Sequence, residues 1–325
     1  MQKAMDRGSS ILITGGAGFI GSHLLERLIK EHDVTVLDNF SSGKRESMAL
    51  CQGKEGFRLI EADLLAPDQG CLREALAGKD MVFHLAANPD VRLGAIDPEV
   101  HLKQNIIATH NLLEAMRVVG VKKIAFTSTS TIYGEAKQIP TAEDYGPLLP
   151  ISLYGASKLA CEAIISSYCH TFDMQSWIYR FANIVGQRGS HGVLVDFIRK
   201  LRDNPVELEI LGSGRQRKSY LEVKECVEAM LLCLDASQER VNIFNIGSED
   251  SLDVKEIADI VVRQMGLKDV AYRYTGGEEG RGWKGDVRVM LLSLEKIKKL
   301  GWRPKSGSYQ AIQSAVQALL KEGSG

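Results

Sequence analysis

The chain has 325 residues, 44% of them hydrophobic and 25% charged, an ordinary globular composition long enough for one large or two unequal domains. Its 40 Lys and Arg nearly balance 41 Asp and Glu, leaving a net charge of −1 and no basic field that would draw nucleic acid. No run approaches the roughly 20 apolar residues of a membrane-spanning helix. In chain order, strands are predicted at 10–14, 34–37, 57–61, 81–86, 123–128 and 176–181, short runs rich in Val, Ile and Phe as buried parallel strands are. Helical patterns lie between them near 19–31, 68–77, 99–119 and 154–172. Such alternation implies right-handed crossovers and an α/β, doubly wound parallel sheet.

Beyond about residue 182 the rhythm loosens. Isolated strands are predicted at 207–211, 242–246 and 270–274, among helices at 192–203, 222–235, 253–266 and 293–300. We expect a first domain over 1–181 and a smaller α/β substrate lobe over 182–325, of which about 222–265 packs back on the first domain. The KEGSG at 321–325 reads as a disordered end. Six cysteines, at 51, 71, 161, 169, 226 and 233, show no CxxC spacing and read as reduced thiols. The opening MQKAMDRGSS lacks a long apolar leader, so a cytoplasmic protein is expected.

TGGAGFIGSHL, from Thr14 to Leu24, puts Gly15, Gly18 and Gly21 between the first strand and the first helix. The first glycine permits the tight turn, the second lets backbone approach a pyrophosphate, and the third lets helix and strand pack closely. VTVLD then places Asp38 at the end of the second strand, where a carboxylate accepts from an adenosine ribose and favours NAD over NADP. This is the fingerprint of a Rossmann dinucleotide fold. Lys44 and Arg45 are read as a solvated loop, the alternative being a contact to a 2′-phosphate. Asp63 follows the third strand towards the adenine edge, and Ala86 and Ala87 end the fourth, where small residues let backbone sit near the cofactor. His84 is read as a packed histidine, and no His, Cys or carboxylate spacing suggests a metal. Asn105 either orders the site or is an ordinary helix-face asparagine.

Tyr154 and Lys158 are four apart and share a helix face. A phenol with a pKa of about 10 is a poor base at neutral pH. A neighbouring ammonium and an oxidised nicotinamide are expected to lower it, so that the phenolate takes a proton from a substrate hydroxyl as a hydride leaves the same carbon.

With GGAGFIG, Asp38, HLAA, TSTSTIYG, YGASK, RFANIVG and GRGWKGDV in order, the chain resembles the extended short-chain dehydrogenase/reductase family, in its nucleotide-sugar epimerase branch, from about Ser10 to Arg303. The resemblance implies a catalytic set of Tyr154, Lys158 and Thr129. It implies cofactor contacts from Gly15, Gly18, Phe19, Ile20, Gly21, Asp38, Asn39, Gly43, Asp63, Leu64, Leu85, Ala86, Ala87, Asn105, Thr127 and Tyr179, besides Tyr154 and Lys158. Substrate contacts are expected from Asn88, Thr129, Ser130, Tyr133 and Asn183. Dehydratases of the same family carry an Asp-Glu pair just before the YG segment, where this chain has Ser130 and Thr131. Without those acids a 4-keto sugar has no efficient route to elimination. Returning the hydride to the opposite face is what remains, which is C4 epimerisation of a UDP-hexose with NAD as cofactor; a 4-ketoreductase, a UDP-glucuronate 4-epimerase and a non-enzymatic NAD-sensing scaffold are the alternatives.

Inversion also requires the nucleotide to be anchored while the sugar turns. Gly192 and Val193 open a helix whose amides suit a phosphate. Lys218 stands where relatives carry arginine, a point charge without the bidentate fork. Of the basic residues in GRGWKGDV, Arg281 is favoured over Lys284 for the diphosphate, with Trp283 at the counted position. Met290 falls at the sugar gate, and its adaptable thioether predicts UDP-glucose and UDP-galactose with tolerance of N-acetyl sugars. The resemblance implies a homodimer; of the apolar positions on the 99–119 and 154–172 helices, among them Ile106, Leu113, Leu159, Ile164 and Tyr168, part must cover the sheet and the rest is expected to pair with a second subunit.

Overall fold

The structure is a computed structural model that describes residues 5–322. In chain order the first elements are β1 (Ser10–Thr14), α1 (Phe19–Leu28), β2 (Asp33–Asp38), β3 (Phe57–Glu61), α2 (Gly70–Leu76) and β4 (Met81–His84). There follow α3 (Glu99–His101), a π-helical segment (Leu102–Ile107), α4 (Ala108–Val119), β5 (Lys123–Thr129), α5 (Leu153–Thr171) and β6 (Gln175–Phe181). Beyond these lie β7 (Asn183–Val185), α6 (Val193–Asp203), β8 (Glu207–Ile210), β9 (Arg217–Lys218), β10 (Tyr220–Glu222), α7 (Val223–Ala236) and β11 (Val241–Ile246). The last are β12 (Leu252–Asp253), α8 (Val254–Gln264), β13 (Ala271–Tyr274), β14 (Val289–Met290), α9 (Glu295–Lys298) and α10 (Ser308–Glu322).

Seven strands form one parallel sheet in the order β11-β6-β5-β4-β1-β2-β3. The order reverses at β1 and β4, and in open α/β sheets ligands bind outside the strand ends at such a switch point. The expected doubly wound α/β class is the observed one. Chain contacts divide the molecule into two compact units. The first takes residues up to Thr129 with Leu153–Arg180 and Ala229–Phe244; the second takes Ser130–Ser152, Phe181–Glu228 and the residues from Asn245 onward. The first unit's core joins sheet residues such as Leu12, Val82, Ile124 and Phe126 to Leu112 and Met116 of α4 and Ile165 of α5. The second has its own core, built from Leu194, Phe197 and Leu201 of α6, Ile257 and Val261 of α8, and Ile312 and Val316 of α10.

Several expected elements differ. NIFNI is no isolated strand but β11, at the edge of the main sheet, because Val241 and Ile243 have the first unit's core to pack on. The 207–211 and 270–274 strands pair with each other as β8 and β13. The fourth strand stops at His84, since the chain then turns until Ala86 backbone lies against Gly15. The 99–119 helix is interrupted by the π-helical segment, which carries Asn105. Helix α9 is only four residues long. Helix α10 was not expected; its Ala311, Ile312, Ala315 and Val316 are buried at helical spacing. It includes Lys321 and Glu322, so the expected disordered end does not begin there, and residues 323–325 lie outside the described residues. All six cysteines are free, Cys71 exposed and the others buried. Among the described residues no helix is long and apolar enough to cross a membrane.

Candidate active site

At the first turn of α1, chain geometry and residue size are matched closely. Gly15 adopts φ +74°, and a Cβ there would lie 2.6 Å from the Ala86 nitrogen. A Cβ on Gly21 would lie 2.2 Å from the Gly15 carbonyl oxygen. One on Gly43 would lie 2.8 Å from the Ala17 Cβ. No side chain caps α1, so its first amides, including those of Phe19 and Ile20, have no intrahelical partner. That leaves them to an anion at the positive end of the helix. Asp38 is buried and braced by the Ala17 and Phe40 amides, both at 2.9 Å, which aims the carboxylate beside the glycine turn. Asn39 donates to the Asp63 carboxylate at 2.9 Å, and the Leu64 carbonyl accepts from Asn111 at 2.8 Å. Leu85, Ala86 and Ala87 follow β4 as partly buried chain. This glycine cradle, an uncapped helix and an acid at the second strand's end fit a dinucleotide. Arg45, by contrast, pairs with Glu61 and stacks 4.2 Å over Phe40.

The reacting groups gather between β5 and α5. Tyr154 is hydrogen-bonded to Thr129, and the Lys158 Nζ donates to the Thr127 carbonyl at 2.8 Å while lying 4.7 Å from the Phe126 ring centre. Lys158 is buried, which pulls its proton affinity down to about 8. Tyr154 keeps some exposed area, yet the protein around its phenol desolvates the charged form and pushes it up to about 12. Burial and the Thr129 hydroxyl, not Lys158, lead this shift; the expected lowering is that of Lys158 together with an oxidised nicotinamide. The Thr129 hydroxyl supplies the downward pull, and burial outweighs it. Asn105 is buried; it accepts from the Asn88 amide and donates to Ser157 at 2.9 Å, so it orders this region as one of the two readings expected. Asn88 in turn donates to Gln104.

His84 is packed as expected, between Thr14 and Thr109 at 2.7 and 2.9 Å, with burial driving it down to about 3. Tyr179 is a correction. It is fully buried in β6, and its hydroxyl donates to the Met230 carbonyl, so it serves the core instead of meeting a cofactor. Among the described residues no group of three or more His, Cys, Asp or Glu is placed to hold a metal.

The second unit carries the basic residues. Lys218 pairs with buried Asp286 at 2.6 Å and lies 5.2 Å from the Trp283 ring centre. Arg281 donates to Glu135 and to the Asp286 carbonyl, both at 2.6 Å. The carboxylate of Glu135 also bonds Arg288 at 3.2 Å, and the two guanidiniums hold it well below the usual range, at about 2. Neither Glu135 nor Arg288 was singled out in the sequence. Their partnership spans 153 residues, and only the run of basic residues around Gly285 hinted at it. Asn183 donates to the Ser219 carbonyl. Gly192 takes φ +97° as the N-cap of α6, so Val193 opens a helix without a side-chain cap. Tyr133 is buried and bonded to Asn245 at 2.8 Å, and Ser130 is buried beside it in one short turn. Thr131 is partly buried in that turn.

Comparison with known proteins identifies the family. A crystal structure of UDP-galactose 4-epimerase superposes with a TM-score of 0.84 at 41% identity, over 96% of this chain and 99% of that one. The Thermotoga maritima UDP-glucose 4-epimerase, solved with UDP-glucose, does so with 0.84 at 33% identity, over 96% and 99%. The UDP-glucose 4-epimerase of Corynebacterium glutamicum is 30% identical across 93% of both chains. Residues 11–247 match the model of the NAD dependent epimerase/dehydratase family. The glycine cradle at β1 and α1 lies inside that match, and the chain belongs to this family of NAD-using enzymes.

Proposed function

We propose that the protein interconverts UDP-glucose and UDP-galactose by inverting C4, and that it also accepts their N-acetyl forms. NAD, when bound, supplies reversible hydride acceptance. Tyr154 takes the proton of the sugar hydroxyl and returns it, Thr129 shares that hydrogen bond, and Lys158 fixes cationic charge beside them. Gly15, Gly18, Gly21 and Asp38 hold the dinucleotide. Lys218, Arg281, Asn183 and the α6 amides at Val193 hold the diphosphate and nucleoside.

One observation carries the choice of epimerisation over elimination: Ser130 and Thr131 stand where an acid pair would be needed, and the next carboxylate, Glu135, is committed to Arg281 and Arg288. Incubating the purified protein with UDP-glucose, UDP-galactose, both N-acetylhexosamines and UDP-glucuronate, without added cofactor, and reading products by NMR tests this. Conversion of UDP-galactose to UDP-glucose is expected. Turnover of another sugar nucleotide with none of UDP-galactose overturns the substrate assignment.

A cytoplasmic homodimer completes the reading. The dimer is supported by apolar side chains left exposed on and beside α4 and α5, namely Leu102, Ile107, Val118 and Leu153. Light scattering at micromolar concentration should give twice the chain mass, and a monomer mass refutes it.

A further inference from the structure

We propose that the buried cluster of Ser128, Glu162 and Arg180 positions α5 on β5 and sets the charge around Lys158. The proposal rests on the reading of Tyr154 and Lys158 as the reacting pair. On α5, Tyr154, Lys158 and Glu162 recur at every fourth position and form one stripe. Each is tied to one of three consecutive residues of β5. Tyr154 bonds Thr129, Lys158 bonds the Thr127 carbonyl, and the Ser128 hydroxyl donates to the Glu162 carboxylate. From the next strand, Arg180 grips the same carboxylate, with Nη2 to Oε2 at 2.8 Å and Nε to both oxygens at 3.2 Å. Ser128, Arg180 and Glu162 are 3%, 4% and 5% exposed, so water screens none of them.

A pair so deeply buried adds little stability over apolar residues of similar volume, because desolvation consumes most of the attraction. Its charges, however, lie one helical turn from Lys158. The groups facing that ammonium are Cys161 and Glu162 on α5, the Phe126 ring and Thr127 carbonyl on β5, His84 on β4 and His101 on α3. Burial keeps both histidines and the Cys161 thiol in their neutral forms near pH 7. Of this set, Glu162 alone contributes negative charge, and Arg180 decides how much of it Lys158 feels.

Opposite signs follow for the two partners. Neutralising Glu162 strips Lys158 of its counter-charge and leaves Arg180 uncompensated, which weakens proton binding at Lys158. Neutralising Arg180 leaves the carboxylate unshared, which strengthens it. The test uses NAD-loaded protein with 15Nζ-labelled lysine, the Lys158 resonance being assigned by its loss in Lys158→Arg. Glu162→Gln should lower the Lys158 midpoint and Arg180→Gln should raise it, each by about one pH unit, or tenfold in proton affinity. The double variant should return it near the starting value, and the pH dependence of kcat/KM should move in parallel. Ser128→Ala leaves the ion pair in place and should raise the midpoint by less than Arg180→Gln does. It serves as the deciding variant where either single substitution fails to fold. Movement of both single variants in one direction, no movement, or an unmoved Ser128→Ala overturns the proposal. Absence of turnover on every UDP-sugar, with the midpoints still shifting oppositely, would instead count against the proposed reaction.

Discussion

Gly21→Ala tests the cradle at one atom. The added Cβ would fall 2.2 Å from the Gly15 carbonyl oxygen and 2.8 Å from the Gly16 Cα, where ordinary contact begins at 3.4 Å, so the first is short by 1.2 Å. Both opposing groups are backbone and have no rotamer by which to yield. Helix α1 must therefore retreat from the β1 turn. Overpacking of this kind costs about 1–3 kcal/mol, and it moves the amides of Phe19 and Ile20 away from the position that suits a pyrophosphate. The assay pairs urea unfolding with the NAD content of purified protein, released by acid and quantified by absorbance. We expect a loss of stability in that range and protein largely free of NAD. A Gly21→Ala variant with native stability and a full complement of NAD would refute the claim that this contact shapes the cofactor site.

Other expectations concern single groups. Tyr154→Phe should abolish turnover while NAD and UDP binding, measured by absorbance and calorimetry, stay near native; measurable residual epimerisation would remove Tyr154 from its role. Thr129→Val removes the hydrogen bond that opposes burial of the phenol, and a loss of about 1 kcal/mol corresponds to roughly fivefold in rate with the ascending, acid-side limb of the pH profile moved to higher pH. Lys218→Ala leaves Asp286, 2% exposed, without its cation. Destabilisation of about 3 kcal/mol in urea and weaker UDP binding should appear together. His84 is neutral when folded, with its affinity lowered from 6.5 to about 3. Its stabilisation is complete above pH 6.5 and is lost as pH falls towards 3, because the unfolded chain takes up the proton first. His84→Gln should flatten that acid limb in thermal melts, and an unchanged limb would show that other groups govern it.

Much of the first unit was legible because its signals are local. Glycine spacing between a strand and a helix, Asp38 closing the second strand, and the four-residue step from Tyr154 to Lys158 all express backbone geometry over a few residues. The same holds for the alternation that predicted the sheet. Helix α10 was missed although its apolar spacing was present, since the fourfold period at Ala311 and Ala315 rests on small residues with little hydrophobic contrast. The break at Leu102–Ile107 was hidden because no Pro or Gly marks it.

What the tertiary structure alone decided lies in contacts between distant positions. The primary sequence determined that Tyr179 is an aromatic in a strand; the fold determined that its hydroxyl faces Met230, 51 residues away. It determined an arginine at 281 but not that Glu135, 146 residues earlier, would pair with it. It determined a lysine one turn from a tyrosine, yet which effect governs the phenol depended on how deeply neighbouring elements bury it. Periodicity and turn chemistry act along the chain and can be read there. Desolvation and ion pairing depend on what packing brings within a few ångströms, and that is set only once the strands have chosen their order.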